Sequence, residues 1–430
     1  MRALTRMFGV FAIAVLCTAT LSAQTIAIRG GTVHTLAGAS VERGTVVIED
    51  GLISTVGQNV QVPAGAEVID ATGHHVYPGF FDALTSLGLS EVGAVPVTND
   101  VSELGDYNPH LLAMWAVHPA SEHIPVARAN GITHTVAAPR GGGGDMAGQG
   151  SLMHTHGWTV EEMVIEPSVG IVLGWPNLQL RSFDYATMSV SERSFREAKK
   201  EYDEKIEEIE GWLDAARNYE AAREAGTEVE RDLKLEALIK VVNGELPFLI
   251  SVGSERGIND VLDFAERNEV RVVLLGANDA WKVADRISDA GVPVILGPTQ
   301  SLPRDEDYGY DQVYALPGQL HAAGVMVGMA TFGASASRNL PYEIGSAVSY
   351  GLPQEEALRV ITINNAEILG VGDRLGTIET GKIANLIVTD GDPLEIATQY
   401  THLIINGQLA PLENKHLELY ELYRSRPRRP

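Results

Sequence analysis

The sequence predicts an α/β protein: a (β/α)8 TIM-type barrel with a small β-sandwich domain formed from both ends of the chain. Two observations predict this class. Short apolar runs alternate with helical segments between residues 78 and 370, which is the pattern of parallel strands joined by helices. Strand-like runs separated by turn residues occupy residues 24–77 and 371–411 on either side. A chain of 430 residues with 45% hydrophobic content can bury both bodies.

Residues 1–23 have the pattern of a secretory signal peptide. Arg2 and Arg6 precede an apolar stretch that is too short for a stable membrane span, and the small residue Ala23 marks the expected cleavage site. The sequence therefore predicts an exported protein, periplasmic or secreted, with no integral membrane span after cleavage. Cys17 is the single cysteine and lies in the discarded segment, so the mature chain would lack disulfides and thiolate ligands.

The charge balance bears on the kind of partner. The chain has 32 basic and 56 acidic residues, a formal net charge of −24 at pH 7. This excess of negative charge opposes binding to nucleic acid and to anionic membrane surfaces.

The first flanking region predicts a small antiparallel sheet. Asp50 and Gly51 stand between two apolar runs, which is a strong signal for a two-residue hairpin. The predicted strands cover Ile26–Ile28, Thr45–Ile48, Leu52–Val56 and Glu67–Ile69, and a last strand from His402 to Asn406 belongs to the carboxyl-terminal part.

Five apolar runs in the central region predict buried parallel strands. They cover Ile132–Ala138, Pro247–Val252, Val270–Leu275, Val292–Leu296 and Gly324–Ala330. Together with a first strand ending near residue 84 they account for six of eight strands, and the third and fourth are not placed. Residues 189–244 are rich in Glu, Lys, Arg and Ala with apolar residues at helical spacing, which predicts a solvated helical excursion over the barrel. Residues 412–430 form a charged tail.

Residues 78–86 read Pro-Gly-Phe-Phe-Asp-Ala-Leu-Thr-Ser, so alternate residues Leu84 and Ser86 are expected to point together into the barrel mouth. This stretch resembles the amidohydrolase superfamily, close to its imidazolonepropionase-like branch, in which Pro-Gly-x-x-Asp-x-His-x-His supplies the first two metal ligands. Residues 271–285, 338–343 and 351–370 extend the resemblance over most of the chain. Leu84 and Ser86 replace both histidines.

The resemblance implies three further ligand positions, and each is also replaced. Ser251 stands where the fifth strand supplies histidine, and Leu275 or Gly276 stands where the sixth does in many members. Phe332 stands where the eighth strand supplies an aspartate that acts as ligand and general base. A catalytic zinc needs about three N, O or S donors. The sequence therefore predicts a pseudoenzyme with no cofactor, and zinc only if the protein is active after all.

His154 and His156 form the one surviving His-x-His pattern. In an extended segment both rings share one face, but no third ligand is in view. A surface pair on an inserted hairpin is therefore favoured over a metal site.

The leading functional hypothesis is an exported amidohydrolase-like protein that has lost metal hydrolysis and binds a small molecule, forms a homodimer or pairs with an active relative. Asp82, Arg140, Asn278, Arg338 and Asn339 are the predicted ligand-binding residues at the barrel mouth. The alternative is an active hydrolase of non-peptide C–N bonds in a cyclic amide or N-acyl compound, using an unusual metal set or no metal.

Overall fold

The computed structural model describes residues 25–184 and 188–427. The predicted signal peptide lies outside the described residues. Within the described ranges, every helix is too short or too polar to serve as a transmembrane segment.

Strands and helices alternate through the centre of the chain, whereas both ends consist mainly of strands. The strands are β1 (Ile26–Val33), β2 (Val41–Glu49), β3 (Leu52–Gly57), β4 (Glu67–Asp70), β5 (His75–Pro78), β6 (Phe80–Thr85), β7 (Ile132–Ala137), β8 (Met146–His154), β9 (Val164–Gly174), β10 (Arg181–Asp184), β11 (Ser189–Glu192), β12 (Phe248–Val252), β13 (Val272–Gly276), β14 (Val294–Leu296), β15 (Val327–Met329), β16 (Leu386–Thr389), β17 (Tyr400–Ile405) and β18 (Gln408–Ala410). The α-helices are α1 (His123–Arg128), α2 (Val160–Met163), α3 (Phe195–Glu224), α4 (Leu233–Val242), α5 (Glu255–Asn268), α6 (Ala284–Asp289), α7 (Gln312–Ala322), α8 (Leu340–Val348), α9 (Gln354–Val360), α10 (Ile363–Ile368) and α11 (Lys415–Arg424).

Both ends of the chain contribute to one sheet, as predicted. Its strand order is β18-β17-β16-β5-β1-β2-β3, with β4 beside β1. Asp50 and Gly51 have φ values of 53° and 82° and join the antiparallel strands β2 and β3, which confirms the predicted hairpin. The expectation of a purely antiparallel sheet was wrong, because β1 pairs in parallel with β4 and β5. Residues 58–66 carry the chain back before β4, so β4 enters in the direction of β1.

The barrel sheet has the strand order β15-β14-β13-β12-β9-β8-β7-β6. The strands from β12 to β15 pair in parallel at the predicted places. The two strands that the sequence did not place are β8 and β9. β8 runs antiparallel to both of its neighbours, because residues 138–145 between β7 and β8 are too few for a crossover helix. The predicted hairpin is therefore part of the barrel wall itself.

Alternate strand residues separate the inside of the barrel from its outer layer. The interior is filled by a cluster that includes Phe81, Leu249, Leu275 and Ile295. Outward-facing residues such as Phe248 pack against the surrounding helices in a second cluster, and the terminal sheet encloses a third. The barrel is therefore a packed body with its chemistry confined to its ends.

The side chain of Asn365 in α10 links the two edge strands of the barrel sheet, β6 and β15, by hydrogen bonds. Its Nδ2 donates to the carbonyl oxygens of Phe81 at 2.7 Å and Met329 at 2.9 Å, and its Oδ1 accepts from Met329 N at 3.0 Å. A Cβ atom on Gly328 would lie 2.2 Å from the same Oδ1, so only glycine leaves room for this contact. Further along the seam, Phe332 N donates to Leu84 O at 3.0 Å.

Residues 189–244 form the predicted helical excursion, whose main elements are α3 and α4. Ser194 and Glu197 form a capping box that fixes the start of α3. Tyr202 of this helix donates its hydroxyl to Asp260 at 2.5 Å and accepts from Trp175 Nε1 at 2.9 Å. These bonds hold α3 against the residue that follows β9 and against α5.

Replacing Asn365 with alanine is expected to lower the free energy of unfolding by about 2–4 kcal/mol, because three buried backbone groups at the seam lose their partner. Chemical denaturation monitored by circular dichroism measures the change. Asn278→Ala, at an exposed position, is the matched control and should change stability by less than about 0.5 kcal/mol. Equal stabilities of the two variants would contradict the role of Asn365 in closing the barrel.

Candidate functional site

The predicted first-strand positions lie at the carboxyl end of β6. Leu84 is 7% exposed and belongs to the interior cluster. Ser86 is 2% exposed, and its Oγ accepts a hydrogen bond from the backbone N of Ala334 at 3.1 Å. Neither side chain therefore presents a free metal-ligand atom to the barrel mouth.

Asp82 is fully buried at the seam between β6 and the end of β15. Its Oδ1 accepts from Thr331 N at 2.9 Å, and its Oδ2 accepts from Thr331 Oγ1 at 2.5 Å and from Ser337 Oγ at 2.8 Å. Burial raises the pKa of Asp82 to about 6, although these hydrogen bonds oppose the rise. The carboxylate is thus occupied by protein donors and does not open onto the mouth, where the sequence had placed it.

The other three replaced positions differ in access. Leu275 is buried inside the barrel, and Phe332 is half-buried with a φ of 55°, which bulky residues rarely adopt. Ser251 is exposed and opens onto a cavity. A zinc site needs imidazole, thiolate or carboxylate ligands, and these residues do not fit one. Across residues 25–184 and 188–427, no group of three or more His, Cys, Asp or Glu side chains has the geometry of a metal site.

Arg140 lies at the mouth, directly after β7. Its Nη2 donates to the carbonyl oxygen of Phe332 at 2.7 Å and to Ser86 Oγ at 3.4 Å. A guanidinium therefore contacts two of the positions at which the resemblance implies metal ligands. The side chain remains exposed.

A cavity of about 410 Å³ lies at the carboxyl ends of β9 and β12, and its lining begins at Gly141, the residue after Arg140 in sequence. The glycine run 141–143 forms one wall and α3 forms another. Its lining residues are Gly141, Gly142, Gly143, Gly174, Trp175, Pro176, Asn177, Gln179, Arg193, Ala198, Glu201, Tyr202, Lys205 and Ser251. Sequence reasoning missed the contribution of α3, because its charged residues have the composition of a solvated helix face.

Within the described chain, no direct hydrogen bond links Arg140 to Asn278, Arg338 or Asn339. Asn278 is exposed and lines a small cavity of about 50 Å³ with Arg304 and Tyr308. The carbonyl oxygen of Arg338 accepts from Asn130 Nδ2 at 2.9 Å. Asn130 precedes the amino end of β7, so this contact ties Arg338 and the adjacent Asn339 to the flank of the barrel, whereas the mouth is at the carboxyl ends.

His154 is buried, contrary to the expectation of a surface pair. Because β8 is antiparallel, His154 lies opposite His134 near the amino end of β7. Asn385 Nδ2 lies 3.3 Å from Nδ1 of each ring. Burial, with a smaller effect of His154, lowers the pKa of His134 well below its usual value. Burial, with a smaller effect of His156, lowers the pKa of His154 to about 4. His156 is only half-buried, and the rings form no three-donor metal site.

The buried His154 predicts a loss of stability in mild acid. The imidazole titrates near 6.5 in the unfolded chain and near 4 in the fold. The stability gained by keeping it neutral is therefore complete above pH 6.5 and is lost as the pH falls toward 4, by up to about 3 kcal/mol. His154→Gln should flatten the profile of unfolding free energy against pH in this window.

Asp82 acts in the opposite direction, since its raised pKa favours the folded state as the pH falls below about 6. Comparing the variant with the unchanged protein by urea denaturation at each pH cancels this contribution. His416→Gln, at an exposed position of α11, is the control. Parallel profiles for the unchanged protein and His154→Gln would contradict the assignment.

Comparison with known proteins identifies the scaffold. The model of the Amidohydrolase family matches residues 168–414, more than half of the chain. This match does not include β6, where the first two ligand positions lie. An amidohydrolase from Thermotoga maritima MSB8 has the same fold, with a TM-score of 0.76 at 24% identity over 89% of this chain and 99% of that one.

Two curated relatives extend over most of this chain. The imidazolonepropionase of Porphyromonas gingivalis W83 is 25% identical over 83% of this chain and 85% of its own length. Amidohydrolase tasK of Hapsidospora irregularis is 23% identical over 85% of this chain, and the chain spans only 39% of that relative's length. The barrel, the composite terminal sheet and these matches show that the chain belongs to the amidohydrolase family, with similarity to imidazolonepropionases.

Proposed function

We propose that this protein is a binding protein on an amidohydrolase scaffold that carries out no metal-dependent hydrolysis. Its ligand site is the barrel mouth, between Arg140 and the cavity that Ser251 lines. The single observation that carries the proposal is the chemistry at the five strand-end positions, where leucine, serine and phenylalanine side chains replace strong metal ligands.

The contacts of these residues support the proposal further. Leu84 and Leu275 pack into the barrel interior, and Ser86 is engaged by a backbone amide and a guanidinium. Asp82, the nearest carboxylate in sequence, is held by three donors. Freeing it for a metal would leave buried donors of Thr331 and Ser337 unpaired, at a cost of about 1–3 kcal/mol for each group.

The alternative is hydrolysis with an unusual metal set or none, on a cyclic amide or N-acyl compound. One observation favours it: Ser251 is an exposed hydroxyl in a cavity at the correct end of the barrel. However, within the described chain its hydroxyl has no hydrogen bond to a base, which a serine nucleophile needs for activation. We therefore favour binding without turnover.

We also propose that the protein is exported after cleavage near Ala23, on the sequence pattern of residues 1–23 alone. The proposed domain division is a sandwich of residues 24–77 and 371–411, a barrel of residues 78–370 and a tail of residues 412–430. The pairing of β5 with β16, which brings the two ends of the chain into one sheet, supports this division.

Elemental analysis combined with activity assays tests the proposal. The protein from Gln24 onward, incubated with zinc and then dialysed, should retain far less than one zinc ion per chain, because a stable site needs about three strong donors. It should release no product from imidazolonepropionate or N-acetylated amino acids. The Porphyromonas gingivalis imidazolonepropionase, treated in parallel, is the control for the first substrate.

Two outcomes would contradict the proposal. About one tightly bound zinc ion per chain, with turnover that a chelator abolishes, would establish a metal hydrolase. Turnover without metal that Ser251→Ala abolishes would establish the serine-dependent alternative. Asn177→Ala, which changes another cavity residue, is the matched control for the second case.

A further inference from the structure

We propose that α11 is a self-association surface, and that two copies of this chain form a reversible dimer by packing their α11 helices antiparallel against each other. The inference goes beyond the proposed function, because it concerns the end of the barrel opposite to the mouth. It assigns a partner, a second copy of the chain, to the carboxyl-terminal helix.

The apolar side chains of α11 remain exposed. No residue of this helix is buried, and its large apolar and aromatic side chains are between 38% and 63% exposed. They are Leu417, Leu419, Tyr420, Leu422 and Tyr423. An isolated helix of about ten residues is only marginally stable in water, since most helical stability comes from the packing of an apolar face. The exposure of α11 is therefore that of a helix whose packing partner lies outside its own chain.

The segment before α11 is anchored to the body of the protein. Arg128 Nε donates to Pro411 O at 3.0 Å, and the buried Asn414 caps the helix by accepting from His416 N at 3.0 Å. Arg128 Nη1 also donates at 2.9 Å to the carbonyl oxygen of Thr155, which lies beside the amino end of β7. α11 therefore begins at the end of the barrel opposite to the mouth, and a partner bound there leaves the mouth accessible.

One face of α11 is complementary to itself. His416, Leu419, Tyr420 and Tyr423 recur at the spacing i, i+3, i+4 and i+7, which places their side chains on the same side of the helix. A twofold axis between positions 419 and 420 brings His416 across from Tyr423 of the second copy, and Leu419 across from Tyr420. A symmetric dimer uses the same patch on both copies, and this pattern supplies an apolar or aromatic counterpart at each position.

Charges at the two ends of α11 are complementary in the same register. Glu413 precedes the helix and Arg426 follows it, and both are exposed. The two positions are equidistant from the axis, so Glu413 of each copy faces Arg426 of the other. Within residues 25–184 and 188–427, Arg426 forms no ion pair, whereas Lys415 and Arg424 form pairs inside the helix. A parallel arrangement would bring like charges together, which favours the antiparallel one.

The exposed apolar area suits a weak, specific interface. The five large side chains of α11 present about 500 Å² per copy, or about 1,000 Å² for the pair, which is near the lower limit for specific protein interfaces. Repulsion between two chains of net charge −24 is screened beyond about 8 Å at physiological ionic strength. Contacts at the helix pair therefore determine the association, and the dimer is expected to dissociate on dilution.

Sedimentation velocity at physiological ionic strength tests this inference on the protein from Gln24 onward. Between micromolar and several hundred micromolar concentrations, the sedimentation coefficient should rise from the monomer value toward the dimer value. Tyr420→Glu should weaken association about tenfold or more, because it places two carboxylates at the centre of the apolar contact. Tyr310→Glu makes the same change at an exposed tyrosine outside α11 and should associate as the unchanged protein does. Thermal unfolding of each variant confirms that it is folded.

A charge exchange tests the antiparallel register separately. Glu413→Arg alone and Arg426→Glu alone should each weaken association about threefold or more, because like charges then meet at both ends of the contact. The variant that carries both changes should associate within about twofold of the unchanged protein, since both pairs form again with reversed sign. A mere loss of helix stability would not be rescued in this way.

Three outcomes would overturn the inference. The first is a monomer at every concentration, and the second is a dimer that Tyr420→Glu leaves unaltered, because another surface would then join the copies. The third is a double exchange that fails to restore what the single changes lose. Flotation with vesicles of phosphatidylglycerol and phosphatidylethanolamine checks the other possible occupant. Vesicle binding that Tyr420→Glu abolishes, in a protein that stays monomeric, would assign α11 to a lipid surface and overturn the inference.

Discussion

Between the first and last strands of the barrel, the buried carboxylate of Asp82 accepts three hydrogen bonds, from Thr331 N, Thr331 Oγ1 and Ser337 Oγ. The other strands pair in sequence around the barrel, but β6 and β15 are the two ends of the sheet path. Beside the backbone hydrogen bond from Phe332 N to Leu84 O, three side chains close the seam: Asn365 and Asp82 along its length, and Arg140 at the mouth. The geometry of the carboxyl-terminal face depends on this closure.

The closure has a functional consequence, because it uses the strand ends at which the family resemblance implies metal ligands. Ser86 accepts from Ala334 N, and Phe332 contributes both its N–H and its carbonyl oxygen to the seam. These contacts draw the ends of β6 and β15 together around a guanidinium. The residues that lack metal-binding chemistry therefore have a structural role. The cavity at the carboxyl end of the barrel lies to one side of the seam, beneath α3.

The sequence predicted the strands whose apolar runs were bounded by turns, such as β12 and the hairpin at Asp50 and Gly51. It did not predict β8, because Gly148 and Gly150 interrupt the apolar pattern and the strand reverses the expected direction. The burial of His154 follows from that reversal, which carries the residue to the opposite end of the barrel from the mouth. No local pattern encodes such a placement.

The candidate site, like the fold, was predicted from the sequence only in part. The order of the strands along the chain was sufficient to place Arg140 after its strand and Ser251 near the carboxyl end of its strand. It did not show that the Asp82 carboxylate would accept hydrogen bonds from Thr331 and Ser337, which lie about 250 residues away in sequence. It also gave no sign that Lys205 of α3 would face the glycine run. Long-range side-chain contacts of this kind depend on the closed barrel and have no periodic signature.

Crystals grown with excess zinc, measured on both sides of the zinc absorption edge, test the central claim most directly. The account predicts no anomalous peak at the barrel mouth, with Asp82 still bonded to Thr331 and the Arg140 guanidinium still over Phe332. A zinc peak near Ser86 or Ser251, with Asp82 turned away from Thr331 to bind the ion, would contradict it.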